Sequence, residues 1–255
     1  MPNIKSEFDK LFEIVPANNM TLLLCSQALR FEVFCKEQGF FDTSPHTKYL
    51  EIDPFDKWSA HSLLRHKQSG DYAATVRIVL PRDKCTAINY PIEAHFKMLN
   101  KKDRETIKNF PKNQLAEVSR FAVSKKFRRR SGEKHTSHGI STTFEAANTQ
   151  AAYRRTDSHI TLGLIYTLIK MSQQHKITHW LAFMEPSLIR LLNRIGIHFK
   201  RIGPAIKHYG VRYICYISLQ DMLRDVAKEK PGIWAFLSDH GQLSFDGMMP
   251  AQAKQ

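Results

Sequence analysis

The chain has 255 residues, a length that fits one hydrophobic core with additions or two small domains. Apolar residues make up 42% of it, yet no run approaches the roughly 20 apolar residues of a membrane helix. Lys and Arg number 38 against 24 Asp and Glu, a formal net charge of +14. This excess predicts an anionic partner: nucleic acid, anionic lipid or an acidic protein.

The four cysteines, Cys25, Cys35, Cys85 and Cys215, are widely spaced and form no CxxC pair. This usage is typical of reduced thiols and offers neither a disulfide framework nor a structural zinc site. The N-terminal residues MPNIKSEFDKLFEIV are charged and carry no apolar stretch of the signal-peptide type. We therefore expect a cytoplasmic protein without a transmembrane segment.

The first half of the chain is predicted to alternate helices and strands. In order these are a helix, two strands joined through KQSGD, a charged helix and a third strand, at residues 21–38, 61–64, 71–80, 93–109 and 115–124. Gly39 ends the first helix and Pro81 ends the second strand.

A polar, aperiodic stretch from about 128 to 158 follows, longer than an ordinary connection, which predicts a functional loop or an insertion. After it we expect a helix, a buried strand, a short helix, two strands and an amphipathic helix, at 159–175, 177–184, 186–195, 198–203, 211–219 and 220–228. Strands alternating with helices favour an α/β fold with a mixed sheet.

Charged residues interrupt apolar segments at four places, LRFEVF, EIDPFD, ATVRIVLP and AEVSRF. They are Arg30, Asp53, Asp56, Arg77, Glu117 and Arg120. Because a buried unpaired ion is very costly, we expect the three arginines and three carboxylates to pair. One interpretation is a network that only fixes the fold; the other is a network that lines a cleft and holds one carboxylate as a general base. Strand alternation predicts Glu117 and Arg120 on opposite faces.

Four motifs, taken in order along the chain, resemble the signature of the acyl-homoserine-lactone (autoinducer) synthases. They are R30xxVF34, E51xD53xxD56, R77 followed by LP, and E117xSRF121. Those enzymes are a branch of the GNAT-like acyltransferase fold, and the N-acyl amino acid synthases are close relatives. Three stretches of the second half are similar to the PEP-CTERM/exosortase system-associated acyltransferases: LGLIYTLIKMS, ITHWLAFMEPSLIRLLNRIGIHFKRIGP and HYGVRY. The similarity covers about residues 20–245.

The resemblance implies an α/β, GNAT-like acyl-CoA N-acyltransferase fold, with a mixed central sheet flanked by helices. It implies one domain over 1–255, with the polar loop as an insertion and a C-terminal extension from about 220. It further implies that the six charged residues above form the catalytic cluster and that Phe34 and Phe41 lie near the acyl and acceptor pockets. Where the family often has a Trp after the first helix, this chain has Phe40-Phe41.

Further site residues follow from the strand and helix pattern. An apolar cleft for the acyl chain is expected from Phe121, Leu164, Leu168, Trp180 and Phe183, with a plain core as the alternative for each. Backbone N–H groups near Ala122 and Val123, freed by a bulge or a strand splay, would bind the oxyanion.

The chain lacks the Gly-rich turn with which typical GNAT enzymes bind the pyrophosphate of coenzyme A. In its place stand Lys125, Lys126, Arg128, Arg129 and Arg130. These cations suit an acidic acyl carrier protein that presents a phosphopantetheine phosphate; a solvated basic loop is the alternative. We therefore expect an acyl thioester donor, on carrier protein or coenzyme A, with no tightly bound cofactor and no metal.

The predicted reaction is aminolysis of the thioester by an amino acid or similar small amine, with Glu117 as base. Arg77 and Arg120 would hold Glu117 ionised or bind the acceptor carboxylate. S-adenosylmethionine, the acceptor of homoserine-lactone synthases, is the alternative. A nucleic-acid-binding protein and a non-catalytic carrier-binding module also stay open, although the cations form one dense run and no stripe interleaved with aromatics. Peripheral membrane contact is left open as well.

Overall fold

A computed structural model describes residues 4–43, 48–82, 89–127 and 150–245 of the chain, with side chains of the last range described from residue 159 onward. Seven strands form one sheet in the order β1-β2-β3-β4-β5-β7-β6. They are β1 Phe12–Pro16, β2 Ser59–His66, β3 Tyr72–Val79, β4 Leu115–Val123, β5 His179–Met184, β6 Lys200–Lys207 and β7 Val211–Ser218.

Neighbouring strands are antiparallel except for the central pair β4 and β5, which is parallel. The sheet is therefore mixed, as the alternation of strands and helices predicted. The parallel pair requires a long crossover, and the segment between β4 and β5 contains the longest helix of the described chain.

The helices are α1 Ile4–Leu11, α2 Met20–Arg30, α3 Lys101–Lys108, α4 Gln150–Gln174, α5 Pro186–Arg194, α6 Leu219–Glu229 and α7 Pro231–Leu237. A π-helical segment, Phe31–Glu37, continues α2, and Gly39 follows it with a positive φ of 62°. Short 3₁₀ segments lie at Asp56–Trp58, Pro91–Met98 and Lys112–Gln114.

Strand β3 shows how the two helical layers are separated. Ala74, Val76 and Ile78 belong to the large core cluster that includes α4, whereas Thr75 and Arg77 point toward α2. Thr75 Oγ1 lies 2.7 Å from Ser26 Oγ of α2. Because successive strand residues face opposite sides, helices cover both faces of the sheet.

Two elements differ from the sequence prediction. The charged helix expected at 93–109 is divided, because Leu99 is extended and buried and Asn100 begins α3 by accepting a hydrogen bond from the N–H of Asp103. The helix expected at 159 begins at Gln150, so the last nine residues of the expected polar loop are helical. Ala and Arg in that stretch favour a helix without giving it an apolar period.

The C-terminal helices complete the main core. Helix α7 packs against α1, α4 and α6, and Phe236 and Leu237 belong to the same cluster as the central strands. The N-terminal strand β1 and helices α1 and α7 were not predicted from the sequence. Among the described residues, no helix is both long enough and apolar enough to cross a membrane.

Candidate active site

The centre of the site is an irregularity in β4. Its pairing with β5 extends only from Leu115 opposite His179 to Val118 opposite Ala182, so the two strands separate beyond Val118. On its other side β4 shifts register against β3: Ser119 lies opposite Arg77, and Ala122 lies opposite Thr75.

The register shift is a β-bulge in which Arg120 and Phe121 together face Val76. Arg120 has a φ of 53°, an uncommon backbone conformation for a residue with a side chain. The bulge interrupts the simple alternation expected from the sequence. Arg120 binds Asp53, which also binds Arg77, the partner of Ser119, so Arg120 lies on the same side of the sheet as Ser119 and hence Glu117. The sequence prediction of opposite faces is therefore wrong at this point.

A cavity with a volume of about 380 Å³ lies where β4 and β5 separate. Its lining includes six of the seven residues predicted for the substrate pockets, namely Phe34, Phe41, Phe121, Leu168, Trp180 and Phe183. Much of the remaining wall is apolar and comes from α4, β5, α5 and the chain before β6: Ile165, Ala182, Met184, Leu188, Leu192 and Phe199. Leu164 does not line it and is fully buried in the core instead.

Three arginines and three carboxylates form a buried network beside this cavity. Arg30 Nε donates to Glu51 Oε2 at 2.5 Å, and its Nη1 donates to Asp56 Oδ1 at 2.8 Å. Arg77 Nη1 contacts Asp56 at 2.8 Å and Asp53 at 3.0 Å. Arg30 and Arg77 are completely buried, so this part of the network lies behind the cavity wall.

Arg120 joins the network to the cavity. Its Nη2 donates to Glu51 Oε1 at 2.9 Å and to Asp53 Oδ2 at 2.6 Å. Burial alone would raise the pKa of Glu51, but the charges of Arg120 and Arg30 hold it below its usual value. Burial alone would also raise the pKa of Asp56, but the cations of Arg30 and Arg77 outweigh burial and lower that pKa. The network is therefore ionised and balanced in charge.

The third carboxylate of the network is Glu51, whereas the sequence prediction assigned that place to Glu117. Glu51 stands inside the motif E51xD53xxD56, which contained the signal for it. Arg77 donates its Nε to Ser119 Oγ at 3.0 Å. Among the contacts of the described residues, neither Arg77 nor Arg120 forms an ion pair with Glu117.

Glu117 is 4% exposed, and its Oε2 accepts a hydrogen bond from the N–H of Ile92 at 2.8 Å. Burial raises the pKa of Glu117 to about 7, against the opposing effects of that N–H and of Arg77 and Arg120. The expectation that the two arginines keep Glu117 fully ionised is corrected by this balance. A carboxyl that titrates near neutral pH is suited to accept and return a proton.

The six residues predicted as catalytic thus fall into two groups. Glu117, Arg120 and Asp53 line the cavity, whereas Arg30, Asp56 and Arg77 do not; of these three, Arg77 binds Asp53 from behind the wall. Five of the six predicted residues belong to the ion-pair network, with Glu51 as its third carboxylate, and Glu117 lies outside it; their catalytic roles stay a prediction.

The predicted donor-side residues lie at the end of β4. Ala122 and Val123 are buried opposite Thr75 and Ala74, and their side chains do not line the cavity; their backbone role stays a prediction. Lys126 forms an ion pair with Asp71, and the backbone N–H of Lys125 donates to Glu37 Oε1 at 3.2 Å.

Both lysine side chains are exposed. Arg128, Arg129 and Arg130 lie outside the described residues, and the docking role of the basic run is untested.

A second group of cavity residues was not singled out from the sequence. The ring of His95 stacks on Phe183 with centroids 4.7 Å apart, and it contacts the ring of His208 at 4.8 Å. The ring of Tyr209, in the turn between β6 and β7, packs against two phenylalanines. Its centroid lies 6.1 Å from that of Phe40 and 5.4 Å from that of Phe41. The turn therefore meets the segment after the π-helix across the cavity.

Burial lowers the pKa of His95 and of His208, so both rings are neutral at neutral pH. Arg212, early in β7, completes this wall; its Nη2 donates to Glu185 Oε1 at 2.9 Å. The stretch HYGVRY contains three of these residues, but nothing in its spacing indicates a site.

Cys35, in the π-helical segment that continues α2, is buried. Burial, assisted by the charge of Glu51, raises the pKa of its thiol to about 11. It is therefore protonated at neutral pH, which opposes a covalent mechanism through a thiolate.

Residues 29–138 match the acetyltransferase (GNAT) domain family, a range that contains the whole ion-pair network, the bulge and Glu117. No curated protein matches the chain. The acyltransferase class expected from the sequence agrees with the domain match.

Several solved structures share the fold. The AHL synthase LasI superposes with a TM-score of 0.50 at 22% identity, over 82% of this chain and 89% of LasI. FeeM, an N-acyl amino acid synthase from uncultured soil microbes, gives 0.53 at 14% identity, over 84% and 93%. BjaI, a CoA-dependent acyl-homoserine lactone synthase with SAM and isopentyl-CoA, gives 0.54 at 13% identity, over 94% and 95%. The predicted GNAT-like acyltransferase fold is confirmed.

Proposed function

We propose that this protein is an N-acyltransferase that moves a fatty acyl group from a thioester to the amine of an amino acid or similar acceptor. The observation that carries the proposal is Glu117: a buried carboxyl with a pKa of about 7 on the wall of a largely apolar cavity. An isolated fold-stabilising network would need no uncompensated carboxyl at such a place.

Glu117 acts as the general base. It takes a proton from the ammonium or the attacking amine of the acceptor, directly or through a water. The amine nitrogen then forms a bond to the thioester carbonyl carbon, and the C–S bond breaks as the tetrahedral intermediate collapses. The sulfur leaves as a thiol with the proton that the attacking nitrogen loses; when the acceptor arrives as an ammonium, its first proton passes through Glu117 to solvent. The network of Arg30, Arg77 and Arg120 fixes the strand on which Glu117 lies and keeps its own carboxylates ionised.

The open edge of β4 is the proposed binding site for the oxyanion of the tetrahedral intermediate. Because β4 and β5 part after Val118, and because the bulge displaces the next residues, backbone N–H groups toward Ala122 and Val123 are the proposed donors to the developing charge. The apolar wall from α4 and α5 is the proposed site of the acyl chain.

For the donor we propose an acidic acyl carrier protein, which the exposed Lys125 and Lys126 and the basic run after them would attract. The likeness to a CoA-dependent synthase, BjaI, supports acyl-CoA as the alternative. The narrower link to PEP-CTERM/exosortase-associated acyltransferases rests on the motifs in the second half of the sequence and is part of the same proposal.

S-adenosylmethionine is the second candidate acceptor. It is favoured by the likeness to BjaI, whose structure contains SAM, and an amino acid is favoured by the likeness to FeeM, an N-acyl amino acid synthase.

A transfer assay tests the proposal and separates the two acceptors. The protein is incubated with acyl carrier protein, and separately with coenzyme A, charged with a long-chain acyl group, in the presence of an amino acid pool or S-adenosylmethionine. We expect free thiol to be released and an N-acyl amino acid to be detected by mass spectrometry. An acyl-homoserine lactone with S-adenosylmethionine alone would favour the second candidate. If no free thiol is released with any of the amines tested, the catalytic function is refuted.

A further inference from the structure

We propose that Arg212 binds the free carboxylate of the acceptor, which makes the acceptor an amino acid with an unblocked carboxylate and excludes amides and simple amines. This inference rests on the proposed acyl transfer, and it identifies the second polar contact of the acceptor besides the amine that Glu117 deprotonates.

Arg212 presents a donor without a partner. Its Nη2 donates to Glu185 Oε1, but its Nε is buried, and no atom of the described residues accepts a hydrogen bond from it. A buried N–H without an acceptor costs about 1–3 kcal/mol. Arg212 also lines the cavity, so a carboxylate oxygen in the cavity would satisfy this donor and bind the fork of the guanidinium.

The other arginines of the site are less available. Arg77 is fully buried behind the wall, and its Nε and Nη1 are occupied by Ser119, Asp53 and Asp56. Arg120 lines the cavity, but its Nε and Nη2 are occupied by the carboxylates of Glu51 and Asp53. Arg212 has one carboxylate contact among the described residues, from its Nη2 to Glu185 Oε1, and its Nε has no acceptor among them.

Arg212 lies at the same end of the cavity as the network. Its guanidinium carbon is 5.4 Å from the ring centre of Phe40, and that of Arg120 is 5.3 Å from the ring centre of the adjacent Phe41. Burial lowers the pKa of Arg212, and the positive charge of Arg120 adds to that effect against the opposing charge of Glu185. Two cations thus approach each other there, and a bound carboxylate would reduce their repulsion.

Apart from Glu185, the described neighbours of Arg212 are mainly aromatic rings. His95 and His208 are neutral, and with Phe183 and Tyr209 they form an aromatic wall next to it. In such a partly desolvated place a charge-assisted hydrogen bond is stronger than in water. The acceptor carboxylate would therefore meet the guanidinium of Arg212 beside an aromatic part of the lining.

The kinetic test compares acids with amides. Glycine, L-leucine and L-phenylalanine and their carboxamides are used as acceptors with one acyl thioester. We expect kcat/KM to be about 10²-fold higher for the acids, and we expect Arg212→Gln to remove that preference by lowering the values for acids alone. Arg201→Gln is the matched control, because Arg201 is exposed on the neighbouring strand β6 and does not line the cavity.

A second variant separates binding from a structural role. Glu185→Gln removes the partner of Arg212 but keeps the guanidinium, so the preference for acids is expected to persist. If Arg212→Gln and Glu185→Gln lower the values for acids and amides equally, the pair is structural only and the inference is wrong.

A binding measurement keeps this test independent of catalysis. Calorimetry with N-lauroylglycine and N-lauroylglycinamide is expected to give tighter binding of the acid to the unsubstituted protein and equal binding of both to Arg212→Gln. If no amine is acylated but this difference is found, the proposed function fails and the carboxylate site stands. Equal binding of both probes to the unsubstituted protein would overturn the carboxylate site.

Discussion

Glu117 and Glu51 are two buried glutamates of one site with opposite electrostatic surroundings. Glu51 is held by two arginines, which lower its pKa despite burial. Glu117 has a backbone N–H as its hydrogen-bond donor, and burial raises its pKa to about 7. Because only a group that titrates near the working pH can both take up and release a proton efficiently, the difference in environment assigns the base.

The pH dependence of turnover tests this assignment. We expect kcat/KM to rise roughly tenfold per pH unit below about pH 7 and to level above it, because Glu117 must be ionised to act as a base. Glu117→Gln is expected to lower kcat/KM by about 10²–10⁴-fold and to remove that rise. Ser119→Ala serves as the control, because Ser119 also lines the cavity but carries no titratable proton in this range; it should keep the rise.

A stability measurement distinguishes loss of the base from misfolding. Since the pKa of Glu117 is raised on folding from an ordinary 4.5 to about 7, folding favours its protonated form. The contribution of Glu117 to the free energy of unfolding therefore falls as pH increases from about 4.5 to about 7 and is constant above. Glu117→Gln should lack this fall, and a variant unfolded at every pH would show no transition at all.

At the scale of elements, β4 combines two departures from a regular strand. The bulge at Arg120 and Phe121 turns Arg120 toward Glu51 and Asp53, and the separation from β5 opens the cavity between the strands. A positive φ at a residue with a side chain costs of order 1–3 kcal/mol and persists only when the surroundings compensate for it. Here the two carboxylates that bind Arg120 supply the compensation.

The α5 helix lies along the proposed acyl site. Leu188 and Leu192, one helical turn apart, both line the cavity and both are buried. Because residues at i and i+4 share a helix face, α5 presents one continuous apolar surface to the cavity. The size of these two side chains therefore limits the space for the acyl chain.

Shortening a side chain of this wall should enlarge the cavity and change the preferred length of the acyl chain. Leu192→Ala is expected to shift the preference toward longer chains, because the removed side-chain atoms add volume to the cavity. Measuring kcat/KM over a series of acyl thioesters of increasing length checks this. Leu223→Ala is the control: Leu223 is equally buried, on α6, but does not line the cavity. Each variant should lose about 2–5 kcal/mol of stability. If both variants change the preferred chain length equally, the acyl chain does not bind along α5.

At the scale of the whole molecule, the net charge of +14 is not a property of the cavity. The network is balanced, with three arginines against three carboxylates. The positive excess lies on the rest of the chain, where it can attract an anionic partner over a distance of about one Debye length, roughly 8 Å at physiological salt. This supports a protein-borne donor, whose acidic surface would respond to that excess.

Salt dependence separates the two donors. With acyl carrier protein we expect kcat/KM to fall steeply as salt increases, since steering by opposite charges is screened; with acyl-CoA the fall should be smaller. Lys125→Glu should reduce kcat/KM for the carrier-borne donor by about tenfold at low salt, and leave acyl-CoA turnover nearly unchanged. Lys10→Glu, an equal charge change at an exposed position on α1, is the control. Equal effects of both variants would mean that net charge acts without a docking surface.

Much of this was predictable from the sequence. The apolar runs of β3 and β5 define two central strands. The motifs R30xxVF34, E51xD53xxD56 and E117xSRF121 indicate a charged cluster within an acyltransferase fold. These features are local, because periodicity and residue type are properties of short stretches. The β1 strand and helix α7 were missed because each is short, five and seven residues, and so short a run shows no clear period.

What the tertiary structure alone decided is which of these charges pair. The charged motifs offer four carboxylates for three arginines. The bulge at Arg120 brings Glu51 and Asp53 to its guanidinium, and Glu117 is left against the N–H of Ile92. Likewise Arg212 meets Phe40 only because β7 lies beside β5 in the sheet. Pairing and desolvation depend on distances between residues far apart in sequence, and those distances determine which carboxyl titrates near neutral pH.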